Sequence, residues 1–206
     1  MNFLLNNKMA SFFKNLNWID ILVLTIILRT SYIGLRRGFV IEFFKGIGLF
    51  FGLFISLHYY SKLTEFLNKL TPVPADFLEP LVLLSILILI VLGFKFIRDA
   101  ILLLFKIEPK TYLDRWGGAF LGIVRSVLVA SLVLLGLVFF PIDYFKKSIF
   151  GSTMGVTLVK VAPRVYESSF ENFFRLFFPQ EELNKAIFIK LEKKESPKKV
   201  PQRTQK

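Results

Sequence analysis

The sequence of 206 residues contains no cysteine and a single histidine, His58. The lack of cysteine excludes disulfides, thiolate metal sites and cysteine nucleophiles. One imidazole is too few for a histidine-rich metal site. His58 is followed by two tyrosines at the end of an apolar segment, where an interfacial aromatic belt is expected. The sequence therefore predicts neither a metal nor a cofactor.

Common enzyme motifs are also missing from the sequence. It has no glycine-rich phosphate loop, no Gly-x-Ser-x-Gly nucleophile elbow and no His-Glu-x-x-His zinc motif. No serine or carboxylate has an obvious relation to His58 that would make it a catalytic base. We therefore expect a protein that is not an enzyme and has no catalytic residues.

Apolar residues, by contrast, are abundant and occur in blocks. The chain is 54% hydrophobic, with a mean hydropathy of +0.57. A bilayer core about 30 Å thick is crossed by roughly 20 residues of helix. Four blocks approach or exceed this length, namely residues 18–35, 39–60, 77–96 and 117–140. The first block also resembles a signal peptide, but it lacks a clear cleavage site and is read as a retained helix. The prediction is an all-α, polytopic membrane protein with four transmembrane helices.

The composition changes after the fourth block. Residues 141–184 are predicted to form an amphipathic, interfacial region, because its aromatic residues recur at helical spacing. They are Tyr166, Phe170, Phe173, Phe174, Phe177 and Phe178. Residues 185–206 carry eight basic and two acidic side chains and are predicted to be a disordered basic tail. The domain organisation is then an N-terminal segment (1–16), a four-helix domain (17–140), the amphipathic region and the tail.

The net charge of +12 could attract either of two partners, nucleic acid or an anionic membrane surface. The excess of basic residues lies beside the spans or in the tail, where attraction to anionic lipid headgroups accounts for it. A nucleic-acid partner is therefore not expected. The first and third loops carry more basic residues than the N-terminus and the second loop, which favours cytoplasmic loops one and three and both termini outside. The basic tail favours the reverse orientation.

Five ionisable residues lie within the predicted spans: Asp20, Arg29, Glu42, Lys45 and Arg125. Such side chains are costly in a bilayer and normally face the bundle interior or reach towards headgroups. Four of the five lie near span ends. Arg125 is nine residues into its predicted span, about 13 Å at 1.5 Å per residue, and is expected near the midplane. Asp20 and Glu42 are its candidate partners. This charge network is either a structural bridge or part of a conduction path.

Small residues recur at four-residue spacing in two spans. Such ladders let helix backbones approach closely. The fourth span has Gly118, Gly122, Ser126 and Ala130, and the second has Gly48 and Gly52. The ladders predict either a compact bundle or a seam between copies of the chain.

Three segments resemble the colicin V production protein family. They are Asn17-Trp-Ile-Asp20, the run from Gly34 through Arg36, Arg37 and Gly38 to Glu42, and the run from Leu113 through Asp114 and Arg115 to Arg125. The resemblance covers about residues 17 to 160 and departs from the family at Ser126, where Gly is usual. It implies a bacterial inner-membrane protein with four spans, whose molecular activity is unsettled.

Two functions follow as hypotheses. The first is a non-enzymatic scaffold that supports toxin production, toxin export or envelope homeostasis by packing with itself or with other membrane proteins. The alternative is a small ion or solute channel or carrier, in which Arg125 and a carboxylate line a polar path. A membrane hydrolase ranks last.

Overall fold

Four long helices dominate the structure. The computed structural model describes residues 17–104 and 112–195. The long helices are α1 (Trp18–Arg37), α2 (Phe39–Leu70), α3 (Ala75–Leu104) and α4 (Tyr112–Phe139). All four are long and apolar enough to cross a membrane, and the described residues contain no strand. The all-α, four-span prediction is thus confirmed, although all four helices extend beyond the predicted spans.

The four helices form an antiparallel bundle with a central pair. Helices α2 and α4 pack against each other, with α1 against α4 and α3 against α2. In each helix we compare the most apolar stretch of 18 residues. The buried share of this stretch is 50% in α4 and 44% in α2, but only 22% in α1 and 17% in α3. The two outer helices therefore present most of the apolar surface that lipid covers.

The bundle has two unlike ends. The hairpin end contains Gly38, which separates α1 from α2, together with the end of α3 and the start of α4. The terminal end contains the start of α1, the end of α2, the start of α3 and the end of α4. Asn17 donates a hydrogen bond to the carbonyl of Ser148 there (2.6 Å). The start of α1 and the segment after α4 therefore lie at the same end of the molecule.

The segment after α4 covers the terminal end. It comprises α5 (Asp143–Phe150), α6 (Thr153–Leu158), α7 (Val161–Ser169), a π-helical turn (Phe170–Phe174), α8 (Arg175–Phe177) and α9 (Ala186–Glu195). Residues 178–185 form no regular helix. Helix α7, the π-helical turn and α8 follow one another without a break, so the predicted aromatic pattern from Tyr166 to Phe177 lies on one continuous helical run.

The aromatic side chains of this segment are divided between core and surface. Tyr166 and Phe170 are buried, whereas Phe173, Phe177 and Phe178 are each more than half exposed. A π-helical turn adds a residue to the normal helical turn, so it rotates the residues that follow it relative to α7. The predicted aromatic stripe therefore does not lie on one uniform face.

The first part of the predicted basic tail is helical. Ala186–Glu195 is helical, and Ile187 and Leu191 of this helix are buried. Lys190 forms an ion pair with Glu79 at the start of α3. These contacts correct the expectation of disorder from residue 185 onwards. The predicted N-terminal segment 1–16 and the rest of the tail, residues 196–206, lie outside the described residues.

Candidate functional site

Close glycine contacts fix the hairpin end. A Cβ atom on Gly118 would lie 2.5 Å from the carbonyl oxygen of Gly34 and 2.7 Å from the carbonyl carbon of Gly38. A Cβ atom on Gly122 would lie 3.1 Å from the carbonyl oxygen of Thr30. These neighbours are backbone atoms, so they have little freedom to move aside. Helices α1 and α4 therefore approach as closely as only glycine permits.

The turn between α1 and α2 is tied to α4 by a second contact. Gly38 has φ 82°, a left-handed conformation that favours glycine. The next residue, Phe39, donates its backbone N–H to the Asp114 carboxylate at 2.8 Å. That carboxylate satisfies a donor at the start of α2 that has no partner within the helix. Two of the segments that carried the family resemblance therefore dock on each other.

The remaining small residues also face helices of the same chain. A Cβ atom on Gly48 would lie 2.7 Å from the Cβ atom of Phe94 on α3, and Gly52 faces Leu87 and Val91 of the same helix. Ser126 and Ala130 are fully buried. In this structure the two ladders serve packing within one bundle.

The basic residues of the hairpin turn lie at the surface. Arg36, Arg37 and Arg115 are exposed. The Arg36 guanidinium lies 4.8 Å from the centre of the Tyr32 ring. These positions suit contact with headgroups rather than a role in the buried cluster.

A buried carboxylate with two cationic partners lies just inside the hairpin end. The side chain of Glu42 is fully buried, and one of its oxygens lies 3.0 Å from Nη2 of Arg125. Its other oxygen accepts a hydrogen bond from Lys45, one turn further along α2. Three of the five predicted network residues therefore form one ion-pair cluster between α2 and α4.

The cluster lies near the start of α2. Glu42 is only three residues beyond the start of α2, about 5 Å along its axis. Helix α4 begins at Tyr112, five residues before Gly117, the predicted span start from which a midplane position of Arg125 was expected. The ion pair with Glu42 places the guanidinium at the level of the first turns of α2.

Asp20 is not a partner of Arg125. Its carboxylate accepts hydrogen bonds from the Ser152 hydroxyl (2.5 Å) and the Met154 N–H (3.1 Å), and one from the Asn17 N–H (3.0 Å). The physical reason is the antiparallel hairpin, since the start of α1 and the start of α2 lie at opposite ends of the bundle. Asp20 thus attaches the segment after α4 to α1.

Arg29 also lies apart from the cluster. It is on the exposed side of α1, whereas the face of α1 that contacts α4 is defined by Gly34. Within residues 17–104 and 112–195 no carboxylate pairs with Arg29. It therefore belongs to the lipid-facing surface of the bundle.

Two cavities flank the ion-pair cluster, and Arg125 lines both. One, of about 280 Å³, also touches Glu42 and is otherwise lined by apolar side chains of α2 and α4. The other, of about 220 Å³, lies between α2, α3 and α4. Its cationic lining residues are Lys45, Lys95, Arg98 and Arg125. The hairpin end is therefore loosely packed around its charges.

Beyond the cluster, the interface of α2 and α4 is apolar and closed. Leu53, Leu57, Leu134 and Leu135 are fully buried there. Two serine hydroxyls in this region bond to backbone: Ser56 donates to the Leu53 carbonyl, and the hydroxyl of Ser131 accepts from the Ala162 N–H. The polar cluster thus has no polar continuation along this part of the interface.

A second polar network lies at the terminal end. The Nδ1 atom of His58 is 2.8 Å from the Tyr166 hydroxyl, and its Nε2 atom is 3.3 Å from the Glu181 carboxylate. Lys62 donates to the same carboxylate at 3.1 Å. The Tyr166 hydroxyl also accepts from the Asn184 N–H (3.1 Å). His58 is consequently a buried structural residue that holds the C-terminal segment on α2.

Two groups of this network that lie outside the four long helices have shifted pKa values. Burial raises the pKa of the Tyr166 hydroxyl to about 12. Hydrogen bonds from Lys62 and then His58 lower the pKa of the Glu181 carboxyl below its ordinary value. No sequence motif indicates this network, because its two halves, on α2 and after α4, are more than 100 residues apart. The lone histidine was its only visible signal.

The described residues hold no group of three or more His, Cys, Asp or Glu side chains that could bind a metal.

Comparison with known proteins gives one match. A family model described as "Colicin V production protein" matches residues 19–163. Neither the curated proteins nor the solved structures give a significant match. The matched range contains the four long helices apart from Trp18, together with the glycine contacts and the ion-pair cluster. It ends within α7, before the π-helical turn.

Proposed function

The chain belongs to the colicin V production protein family, and from this membership and the geometry above we propose that it is a non-enzymatic scaffold of a bacterial cytoplasmic membrane. In this role it supports toxin production or export, or envelope homeostasis, by presenting a fixed helical surface to other membrane proteins or to a second copy. Lipid, including anionic headgroups, is its immediate environment.

The closed apolar interface beyond the charges is the observation that carries this proposal. The ion-pair cluster lies in the first turns of α2, and fully buried leucines fill the α2–α4 interface towards the other end. A conduction path needs polar or wide surroundings through most of the bilayer. The closely packed leucines provide neither, so a fixed bundle is favoured over a conduit.

The cavities beside Arg125 favour a second candidate, a small channel or carrier. Both cavities contact the guanidinium, and a change in the Glu42–Arg125 pair would alter the charge that lines them. Transport by this route would require a second conformation in which the leucine layer opens.

Flux through proteoliposomes separates the two functions. The scaffold predicts that purified protein conducts protons and small ions no faster than empty liposomes. A transporter predicts flux above that background and its loss in Arg125→Ala, with Arg164→Ala as a control for an exposed cation. Conduction by the wild type that Arg125→Ala abolishes would overturn the scaffold.

The orientation that accompanies this proposal has loops one and three in the cytoplasm and both termini outside. The hydrogen bond between Asn17 and Ser148 supports a common side for the start of α1 and the C-terminal segment. Tags at the two termini of the full chain test it: both should be accessible from outside intact spheroplasts. Protection of both tags would reverse the orientation.

A further inference from the structure

The cavity between α2, α3 and α4 has a composition that the scaffold role does not explain. Four cations line it: Lys45, Lys95, Arg98 and Arg125. No carboxylate is among its lining residues. The remaining lining residues are apolar, apart from Gly48. A cavity with a cationic part and an apolar part matches an amphiphilic anion.

The nearby carboxylates neutralise only part of this charge. Glu42 is shared by Lys45 and Arg125, and Asp99 pairs with Arg98. Four cations against two carboxylates leave two positive charges at the cavity. Lys95 has no ion-pair partner among the residues described. An anion in the cavity would compensate this excess.

Arg125 provides a donor for such an anion. Its Nε atom is buried and has no hydrogen-bond partner within the described part of the chain, although Nη2 faces Glu42. A buried donor without a partner is costly. An oxygen atom of a ligand in the cavity would satisfy it, and guanidinium groups bind phosphate oxygens well.

The position of the cavity favours lipid as the source of the anion. It lies at the hairpin end, and its lining residues Val91 and Lys95 are exposed on α3, the helix with the largest lipid-facing surface. Basic pockets between transmembrane helices near a membrane surface bind phosphate headgroups. A volume of about 220 Å³ is below that of common small-molecule pockets and suits a headgroup phosphate whose acyl chains stay outside.

From these observations we propose that the cavity lined by Lys45, Lys95, Arg98 and Arg125 is a binding site for the phosphate headgroup of an anionic phospholipid. Arg125 and Arg98 would bind phosphate oxygens, and Lys95 would lie at the entrance. The site would bring a lipid into contact with the Glu42–Arg125 pair.

Lipid titration of the purified full chain tests this proposal. The protein, stripped of lipid in a neutral detergent, is titrated with phosphatidylglycerol, cardiolipin or phosphatidylcholine, and bound lipid is counted by native mass spectrometry. We compare Lys95→Gln/Arg98→Gln with Lys69→Gln/Arg164→Gln. The second pair removes the same charge from exposed positions at the terminal end.

The expected result is tight binding of one anionic phospholipid to the wild type and the control pair. Affinity should fall roughly tenfold or more in Lys95→Gln/Arg98→Gln, while phosphatidylcholine binds weakly to all three. Equal losses in both pairs, or no preference for anionic lipid, would overturn the site. If inorganic phosphate alone binds with the same dependence on Lys95 and Arg98 while the lipids do not, the ligand is a soluble anion and the lipid assignment is wrong.

The single variant Lys95→Gln tests the site even if the double variant fails to fold. Lys95 is exposed, so its replacement should leave the melting temperature in detergent unchanged. It should still reduce the affinity for phosphatidylglycerol. Unchanged affinity in this variant, with the double variant misfolded, would also contradict the proposal.

Discussion

The two ends of the bundle are held together by different physical means. At the hairpin end, glycine backbones touch and a buried carboxylate lies between two cations, with cavities beside it. At the terminal end, aromatic packing and hydrogen bonds, among them those to the Asp20 carboxylate, attach the short helices. The ion pairs there include partly exposed side chains, as in Lys62–Glu181. The fully buried carboxylate with two cationic partners, and the cavities beside it, thus lie at the hairpin end alone among the residues described.

The largest expected effect comes from the shared carboxylate. In Glu42→Gln, Lys45 and Arg125 lose their common counter-charge while they remain largely buried. Breaking a buried ion pair costs roughly 3–5 kcal/mol, and we expect this loss in the free energy of unfolding in detergent. The control is Glu65→Gln, an exposed carboxylate on the same helix. Equal stability of the two variants would show that the cluster is not structural.

The glycine contacts should give the next largest effect. Gly118→Ala places a Cβ atom 2.5 Å from the Gly34 carbonyl oxygen, so α1 and α4 must separate. We expect a loss of about 3 kcal/mol, at the upper end of typical overpacking costs, measured by thermal unfolding. Gly46→Ala is the control, because a Cβ atom there meets no atom within 4 Å. A Gly118→Ala protein as stable as this control would contradict the close contact.

Much of the hairpin end follows from sequence, and one error there was avoidable. The hydrophobic blocks predict the helices, and four-residue spacing predicts glycine contacts. The candidate partners of Arg125 were Asp20 and Glu42. Consecutive antiparallel helices start at opposite ends of a bundle, so one residue at a given depth cannot reach both. The second and fourth spans start at the same end, so topology alone favours Glu42 and excludes Asp20 as the partner of Arg125.

The terminal end was much less predictable. His58 and Tyr166 are 108 residues apart, and Asp20 and Ser152 are 132 apart. A contact between isolated residues at such separation leaves no periodic pattern in the sequence. The charge of the tail indicated disorder, but Ile187 and Leu191 provide an apolar face that packs on the bundle. Tertiary burial overrides composition in this helix.

A smaller effect is expected at the terminal end from Asp20. In Asp20→Asn, one of the two carboxylate oxygens becomes an NH2 group, so either the Asn17 N–H or the Ser152 and Met154 donors lose their acceptor. Such a loss costs about 1–3 kcal/mol. Limited proteolysis should show faster cleavage after α4, with the four long helices intact. Glu171→Gln, at an exposed position in the same segment, should not change the cleavage rate. Equal rates in both variants would rule out this attachment.

The smallest effect concerns pH. The pKa of the Glu181 carboxyl is lowered by Lys62 and His58 from an ordinary value of 4.5. A lowered folded-state pKa gives stability that is complete above the unfolded value and is lost as pH falls through the folded value. The rate at which an acid-active protease cleaves the chain near α9 should thus be constant towards neutral pH and higher below about pH 4.5. Glu181→Gln should remove this dependence, and Glu182→Gln should retain it. If the cleavage rate of Glu181→Gln depended on pH as in the wild type, other groups would be the cause of that dependence.

The central claim, that polar access ends at the charge cluster, is tested most directly by cysteine labelling. The sequence has no cysteine, so single variants report one position each. Gly46→Cys lies beside the 280 Å³ cavity, and Ser56→Cys lies about 15 Å further along α2 in the buried interface. In proteoliposomes, a water-soluble thiol reagent should label Gly46→Cys and leave Ser56→Cys unlabelled from either side, whereas both label after denaturation. Labelling of Ser56→Cys in the folded protein at the Gly46→Cys rate would contradict the sealed interface and the scaffold role.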